Sequence, residues 1–132
     1  MDSIYKEEII DHYKNPRNFG ALDAPDVHVE ANNPLCGDKL SMDLHLKDGV
    51  VVDVRFRGRG CAISQASASM LTEVMVGKSL EELAKTTRED ILQNLGIEVS
   101  YARMKCALLS LGLLRSALVG AGVPLDFEED QD

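Results

Sequence analysis

The hydrophobic pattern changes period along the chain, and each change marks an element. Leu40, Met42, Leu44 and Leu46 alternate with Ser41, Asp43, His45 and Lys47. After Asp48-Gly49, the run Val50, Val52, Val54 and Phe56 alternates with Val51, Asp53 and Arg55. Period two gives a strand one apolar face, and Asp-Gly between two such runs signals a tight hairpin turn. Residues 39–57 therefore predict an antiparallel hairpin with Val50, Val52, Val54 and Phe56 on the oily face. A lone hairpin is marginal in water, so helices must cover that face. Val27, His28 and Val29 suit a short edge strand.

Elsewhere the period is helical. Tyr5, Ile9 and Tyr13 recur at spacing four, with Ile10 beside them, between a Ser3 cap and the Asn15-Pro16 stop, which predicts a helix over 3–14. From Cys61, a stripe of Ile63, Ser67, Met70 or Leu71, and Val74 runs to Gly77, and its first half is built of Ala and Ser. Small residues there let another backbone approach closely. Ser79 with Glu82 forms a capping box for a short helix through Lys85. Thr87 opens another, with Ile91, Leu92 and Leu95 apolar and Gly96 as the stop. Residues 101–119 make the most apolar helix, with Met104, Leu108, Leu111 and Leu118 on one side and Leu109, Leu113 and Leu114 beside them. Strands precede most helices without βαβ alternation, which indicates an α+β fold.

Length and composition bound this picture. At 132 residues, 45% hydrophobic and 27% charged, the chain fits one domain over 1–125 and an acidic, solvated tail over 126–132. Trp is absent and aromatics are 5%, so the core rests on Leu, Ile, Val, Ala and Met. A net charge of −8 argues against nucleic acid as a general partner. The segment from Cys106 to Val123 carries only Arg115 as a charge, but Arg at mid-helix costs about 2.5–3.5 kcal/mol on insertion. A buried helix, not a membrane span, is expected. The polar, acidic N-terminus lacks the pattern of a secretory signal, and a reducing, cytoplasmic setting follows.

Cys36, Cys61 and Cys106 are the chemically suggestive residues. A cysteine taken singly is most often a small buried apolar residue, and no C-x-x-C pair signals a zinc finger. The contexts point elsewhere. Cys36 lies in the turn-rich stretch Asn32-Asn33-Pro34-Leu35-Cys36-Gly37-Asp38, with a carboxylate two residues on. Cys61 stands where a strand gives way to a helix, and Cys106 in the second turn of a helix. Pairing outward from Asp48-Gly49 brings Asp38 near Arg59 and sets Cys36 opposite Cys61 at the open end of the hairpin. Three thiolates and a carboxylate are the ligand count of tetrahedral Zn²⁺, and soft thiolates equally suit iron–sulfur chemistry. Lys39, Arg59 and Lys105 each stand within three residues of a cysteine, and cations favour the thiolate form. His12, His28 and His45 read as surface or packing residues. No Ser-His-Asp arrangement, paired carboxylates or phosphate loop is visible.

The motifs His12-Tyr13-Lys14-Asn15-Pro16-Arg17-Asn18-Phe19-Gly20, Asn33-Pro34-Leu35-Cys36-Gly37-Asp38, Gly58-Arg59-Gly60-Cys61-Ala62-Ile63-Ser64 through Ser69, and Lys105-Cys106 together resemble the IscU/SufU family, also found as the N-terminal domain of NifU. These proteins are iron–sulfur cluster assembly scaffolds and sulfur acceptors. The resemblance spans residues 4 to 118. It implies a SufE/NifU-like α+β fold, a three-stranded antiparallel sheet covered by about five helices. It implies Cys36, Asp38, Cys61 and Cys106 as ligands of Zn²⁺, iron or a [2Fe–2S] cluster, a cysteine desulfurase as sulfur donor, and apo iron–sulfur proteins as acceptors. Scaffold-type members carry a Leu-Pro-Pro-Val-Lys stretch read by an Hsp70-type chaperone. Val99-Ser100-Tyr101-Ala102-Arg103 stands there instead, so that chaperone is not an expected partner. Lys105 and Gly60-Cys61-Ala62-Ile63-Ser64 are SufU-like, but the Cys61–Cys106 spacing is too short for the SufU insertion.

The expected chemistry is attack of a site thiolate on a desulfurase persulfide. Cys36 is the first choice as acceptor because it lies in a turn, and Cys106 is the alternative. Three readings stand: a scaffold that builds clusters on sulfur it accepts, a zinc-dependent sulfurtransferase that activates a desulfurase, and a domain with purely structural zinc.

Overall fold

The computed structural model describes residues 3–33 and 37–123, so the expected acidic tail and Cys36 lie outside the described residues. Helix α1 (Ser3–Lys14) is followed by β1 (Val27–Asn33), β2 (Asp38–Lys47) and β3 (Val50–Arg59), then α2 (Ala62–Met75), α3 (Leu80–Leu83), α4 (Arg88–Leu95) and α5 (Tyr101–Gly120). The three strands form one antiparallel sheet in sequence order. The α+β class, the strand count and the five helices are as expected.

Between β2 and β3 the turn residues Asp48 and Gly49 both take left-handed φ, 54° and 76°. A two-residue turn of this hand matches the twist of the strands it joins. The pairing then slips by one between His45 and Leu46, and Val52 is the extra residue. A bulge of this kind reverses which side chains face inward. Val51 is fully buried opposite Leu46, Val54 and Phe56 are buried opposite Leu44 and Met42, and Val52 is exposed. The expected set Val50, Val52, Val54 and Phe56 is therefore corrected to Val51, Val54 and Phe56. Simple alternation cannot show a bulge, because all three valines suit either face.

The inner face of the sheet packs under α2 and α5, and Leu40, Met42, Leu44, Phe56, Leu71, Met75, Leu113, Leu114 and Leu118 form the main core. Helix α2 touches α1, α4, α5 and β3, and residues 66–72 are all buried. That explains its Ala and Ser content. A helix crowded on every side needs small residues, and its hydroxyls need partners. Ser67 Oγ donates to the Ala107 carbonyl at 2.9 Å and meets Ser110 Oγ at 2.7 Å. Ser69 Oγ accepts from the Arg17 amide at 2.9 Å and contacts His12 Nδ1 at 2.7 Å. Asn18 Nδ2 donates to Thr72 Oγ1 at 3.1 Å. The expected stripe continued to Val74, but Val74 is exposed and Met75 fills the core.

The His12–Gly20 motif is a staple. Besides the bonds to α2, the Phe56 amide donates to the Asn18 carbonyl and the Gly20 amide to the Phe56 carbonyl, at 2.9 and 2.8 Å. The Phe19 and Phe56 rings meet edge to face. Capping boxes at Ser79/Glu82 and Thr87/Asp90 start α3 and α4, and Gly96 closes α4 in the left-handed conformation. Helix α5 buries Cys106, Ala107, Ser110, Leu111, Leu113, Leu114, Ala117 and Leu118. No helix among the described residues is long and apolar enough to cross a membrane.

On the outer face of the sheet, His28 and Asp43 are cross-strand partners with Nδ1 and Oδ1 2.6 Å apart. Burial opposes ionisation of Asp43. The His28 bond, the Leu22 amide and the His28 and Arg57 charges outweigh it and hold the carboxyl below its usual value. The Asp43 bond, against some desolvation, raises His28. Asp43 therefore contributes stability above about pH 3.9, lost as pH falls through its lower folded value. His28 contributes below about pH 6.5, lost as pH rises through its higher folded value. The wild type is expected to lose melting temperature as pH rises above about 6.5, and His28→Gln should flatten that decline. Equal slopes in thermal melts across that range would show that the pair does not couple folding to the proton.

Candidate metal centre

Asp38, Cys61 and Cys106 come from three different elements and meet at one end of the molecule. Asp38 opens β2, Cys61 is the N-cap residue of α2, and Cys106 lies in the second turn of α5. One donor atom from each lies within 4.8 Å of the other two. Asp38 and Cys106 are buried and Cys61 is half-buried. Of the four ligands expected from sequence, these three are brought together. Cys36 falls outside the described residues; its sequence neighbour Gly37 lines the same cleft.

Local rules explain the meeting. The bulge sets Lys39 opposite Arg59, and one step further Asp38 faces Gly60 rather than Arg59 as plain counting suggests. Asp38 Oδ1 accepts the Cys61 amide N–H at 3.2 Å, and the Cys61 thiol points at Oδ2 at 3.6 Å. That amide is one of the unpaired donors at the start of α2, where a carboxylate is favoured. Ser64 Oγ donates to the Cys61 carbonyl at 3.1 Å and steadies the same turn. A Cβ at Gly60 would stand 2.6 Å from the Asp38 carboxylate and 2.8 Å from Ser64 Oγ. Any side chain there would force the Asp38 carboxylate or Ser64 to shift. On the other side, the Ser67 bonds to Ala107 and Ser110 fix α5 against α2 one residue beyond Cys106. Gly60 and Ser67 escaped the sequence reading as positioning residues, since neither bears reactive chemistry.

The donors fit a tetrahedral ion. Two donors on one tetrahedral Zn²⁺ at 2.0–2.3 Å stand about 3.3–3.8 Å apart; Cys61 Sγ and Asp38 Oδ2 are already 3.6 Å apart, and all three donors lie within 4.8 Å of one another. The cleft around them has a volume of about 490 Å³ and is lined by Gly37, Asp38, Arg59, Gly60, Cys61, Ala102, Arg103 and Cys106. None of the three histidines joins it. His12 is buried against Ser69, and burial above all lowers its proton affinity. His28 pairs with Asp43, and His45 Nε2 lies 2.9 Å from the Asp23 carbonyl.

Residues 4–120 match the NifU-like N-terminal domain, and the chain belongs to that family. It is 38% identical over 127 residues to the zinc-dependent sulfurtransferase SufU of Bacillus subtilis (strain 168), covering 83% of this chain and 86% of that protein. It is 36% identical over 116 residues to the cluster assembly scaffold IscU 1 of Archaeoglobus fulgidus, covering 88% of this chain and 75% of that one. The crystal structure of SufU from Fervidobacterium islandicum AW-1 superposes with a TM-score of 0.77 at 27% identity, covering 89% of this chain and 99% of the other.

Gly60→Ala should weaken Co²⁺ binding about tenfold or more by displacing Asp38. Gly112→Ala, where an added methyl meets nothing within 4 Å, serves as the control. Titration followed by visible absorption checks this, and equal affinity in the two variants would mean that the close approach is not required.

Proposed function

We propose that this protein accepts persulfide sulfur from a cysteine desulfurase and is a scaffold on which an iron–sulfur cluster is assembled, using Cys36, Asp38, Cys61 and Cys106 as ligands. The convergence of Asp38, Cys61 and Cys106 on one mouth carries this reading. Apo iron–sulfur proteins are the recipients, and the setting is the cytoplasm, where thiols stay reduced.

In the transfer step, a thiolate of this chain attacks the terminal sulfur of the donor persulfide. The sulfur–sulfur bond breaks, its electron pair leaves on the donor cysteine, and the accepted sulfur remains as a persulfide here. Cys36 is the acceptor in this reading, in preference to Cys106. Cys61 is the fixed ligand, since the amide that begins its helix is tied to Asp38. Zn²⁺ at these residues would supply positive charge that keeps the thiols deprotonated. The likeness to SufU supports a second reading, in which the protein activates the desulfurase as a sulfurtransferase and builds no cluster.

Reconstitution with a desulfurase, cysteine, iron and a reductant separates the two. Charge-transfer absorption and delivery to an apo-ferredoxin are expected for the scaffold. Stimulated desulfurase turnover without them marks the sulfurtransferase, and neither signal would leave only a structural site. Cys36→Ser should abolish sulfur acceptance at unchanged melting temperature, read by mass spectrometry as loss of the 36-centred persulfide. Asp38→Ala should hold a formed cluster longer and slow its transfer about tenfold, because the hardest ligand is the natural one to release. Equal or faster transfer from that variant would remove Asp38 from the release step.

A further inference from the structure

The cleft carries two cations that its ligand chemistry does not use. Arg59 ends β3 and Arg103 lies in the first turn of α5, and both line the mouth over Asp38, Cys61 and Cys106. In a chain with 22 acidic and 14 basic residues, an arginine without a carboxylate is notable. Arg17 pairs with Asp11, Arg55 with Asp53, and Arg57 with Asp43. Lys39, the cross-strand neighbour of Arg59, reaches Glu30 at 4.0 Å. Arg59 and Arg103 are in none of the ion pairs among the described residues, and both are exposed. Asp38, the acidic residue among those lining the cleft, is 2% exposed and accepts the Cys61 amide N–H. Arg59 and Arg103 therefore line the approach to the thiols from two elements, and each carries a planar donor fork that suits a carboxylate.

We propose that Arg59 and Arg103 form a carboxylate-binding subsite at the mouth of the thiol cleft, and that the sulfur donor presents a carboxylate beside the sulfur it transfers. The second half rests on the sulfur-acceptor reading above; the first does not. A carboxylate is the group whose geometry matches a guanidinium fork. It would be held at the rim while the sulfur a few bonds away reaches the thiols. The same charges offset the repulsion that a cluster of thiolates and Asp38 exerts on an incoming anion. The carboxylate can belong to a free amino-acid persulfide or to an acidic residue beside a protein-held persulfide, and one set of measurements separates these sources.

The test uses the full chain, freed of metal, and no desulfurase, so its failure is distinguishable from failure of the functional reading. Alkylation of Cys61 by iodoacetate and by iodoacetamide is timed by mass spectrometry; in each case the thiolate displaces iodide. Any influence of the arginines on thiolate character speeds both reagents, so the anionic-to-neutral rate ratio reads their attraction of the anionic reagent. The ratio should fall about fivefold in Arg59→Gln/Arg103→Gln, the size expected of two exposed arginine–carboxylate contacts, and fall similarly for the wild type in high salt. Arg59→Lys should recover part of it. Zn²⁺ content and melting temperature should stay unchanged, which a merely structural role would not predict. An identical ratio in wild type and double variant overturns the proposal. Exchange with cystine and with cystamine then identifies the source. Each reaction breaks the disulfide, forms a mixed disulfide with the protein and releases one thiolate. A cystine preference that saturates and is lost in the double variant assigns a free amino-acid donor. An unsaturable preference, equally lost, assigns a protein-held one.

Discussion

The hydrogen bond from the Cys61 amide to the Asp38 carboxylate is the constraint around which the mouth of this molecule is arranged. It joins the first residue of one strand to the first turn of the central helix, and it forms only because nothing stands between them. The bulge at Val52 advances β3 by one residue, so that glycine and not arginine faces Asp38. A hairpin without that extra residue would turn Asp38 toward a long cationic side chain. The ligand geometry thus begins at the far end of the hairpin, near the turn.

Helix α2 transmits this arrangement to the rest of the fold. Its apolar side chains enter the core, and its hydroxyls are spent on neighbours: Ser67 on α5, Ser69 and Thr72 on the segment after α1. Buried hydroxyls with satisfied partners specify a register that methyl groups of similar size would not. The separation of Cys61 and Cys106 depends on that register, because the bonds from Ser67 end on Ala107 and Ser110.

Much of this was legible in the chain. The hairpin, its turn and the helix boundaries followed from period, caps and breakers, since local chemistry fixes them. The convergence of Asp38 and Cys61 followed from counting outward from Asp48-Gly49. What counting missed was parity: three successive valines fit either face, so the exchange of Val52 for Val51 left no trace in composition. The end of the α2 stripe was misjudged for a similar reason, since Val74 and Met75 are both apolar and only packing decides between them. The His28–Asp43 pair and the arrival of Arg103 beside Arg59 depend on contacts across strands and helices, which no local pattern encodes. The position of Cys106 came from resemblance, as tertiary folding alone brings it in.

The three described donors are contributed by a strand, the start of α2 and α5, and α5 is the last helix among the described residues. A chain still emerging during synthesis therefore offers incomplete coordination until α5 has docked. Any ion held by all three would close large loops and be linked to the folded state alone. An ion bound by all three donors would report, in one place, that the sheet, the central helix and α5 have all arrived.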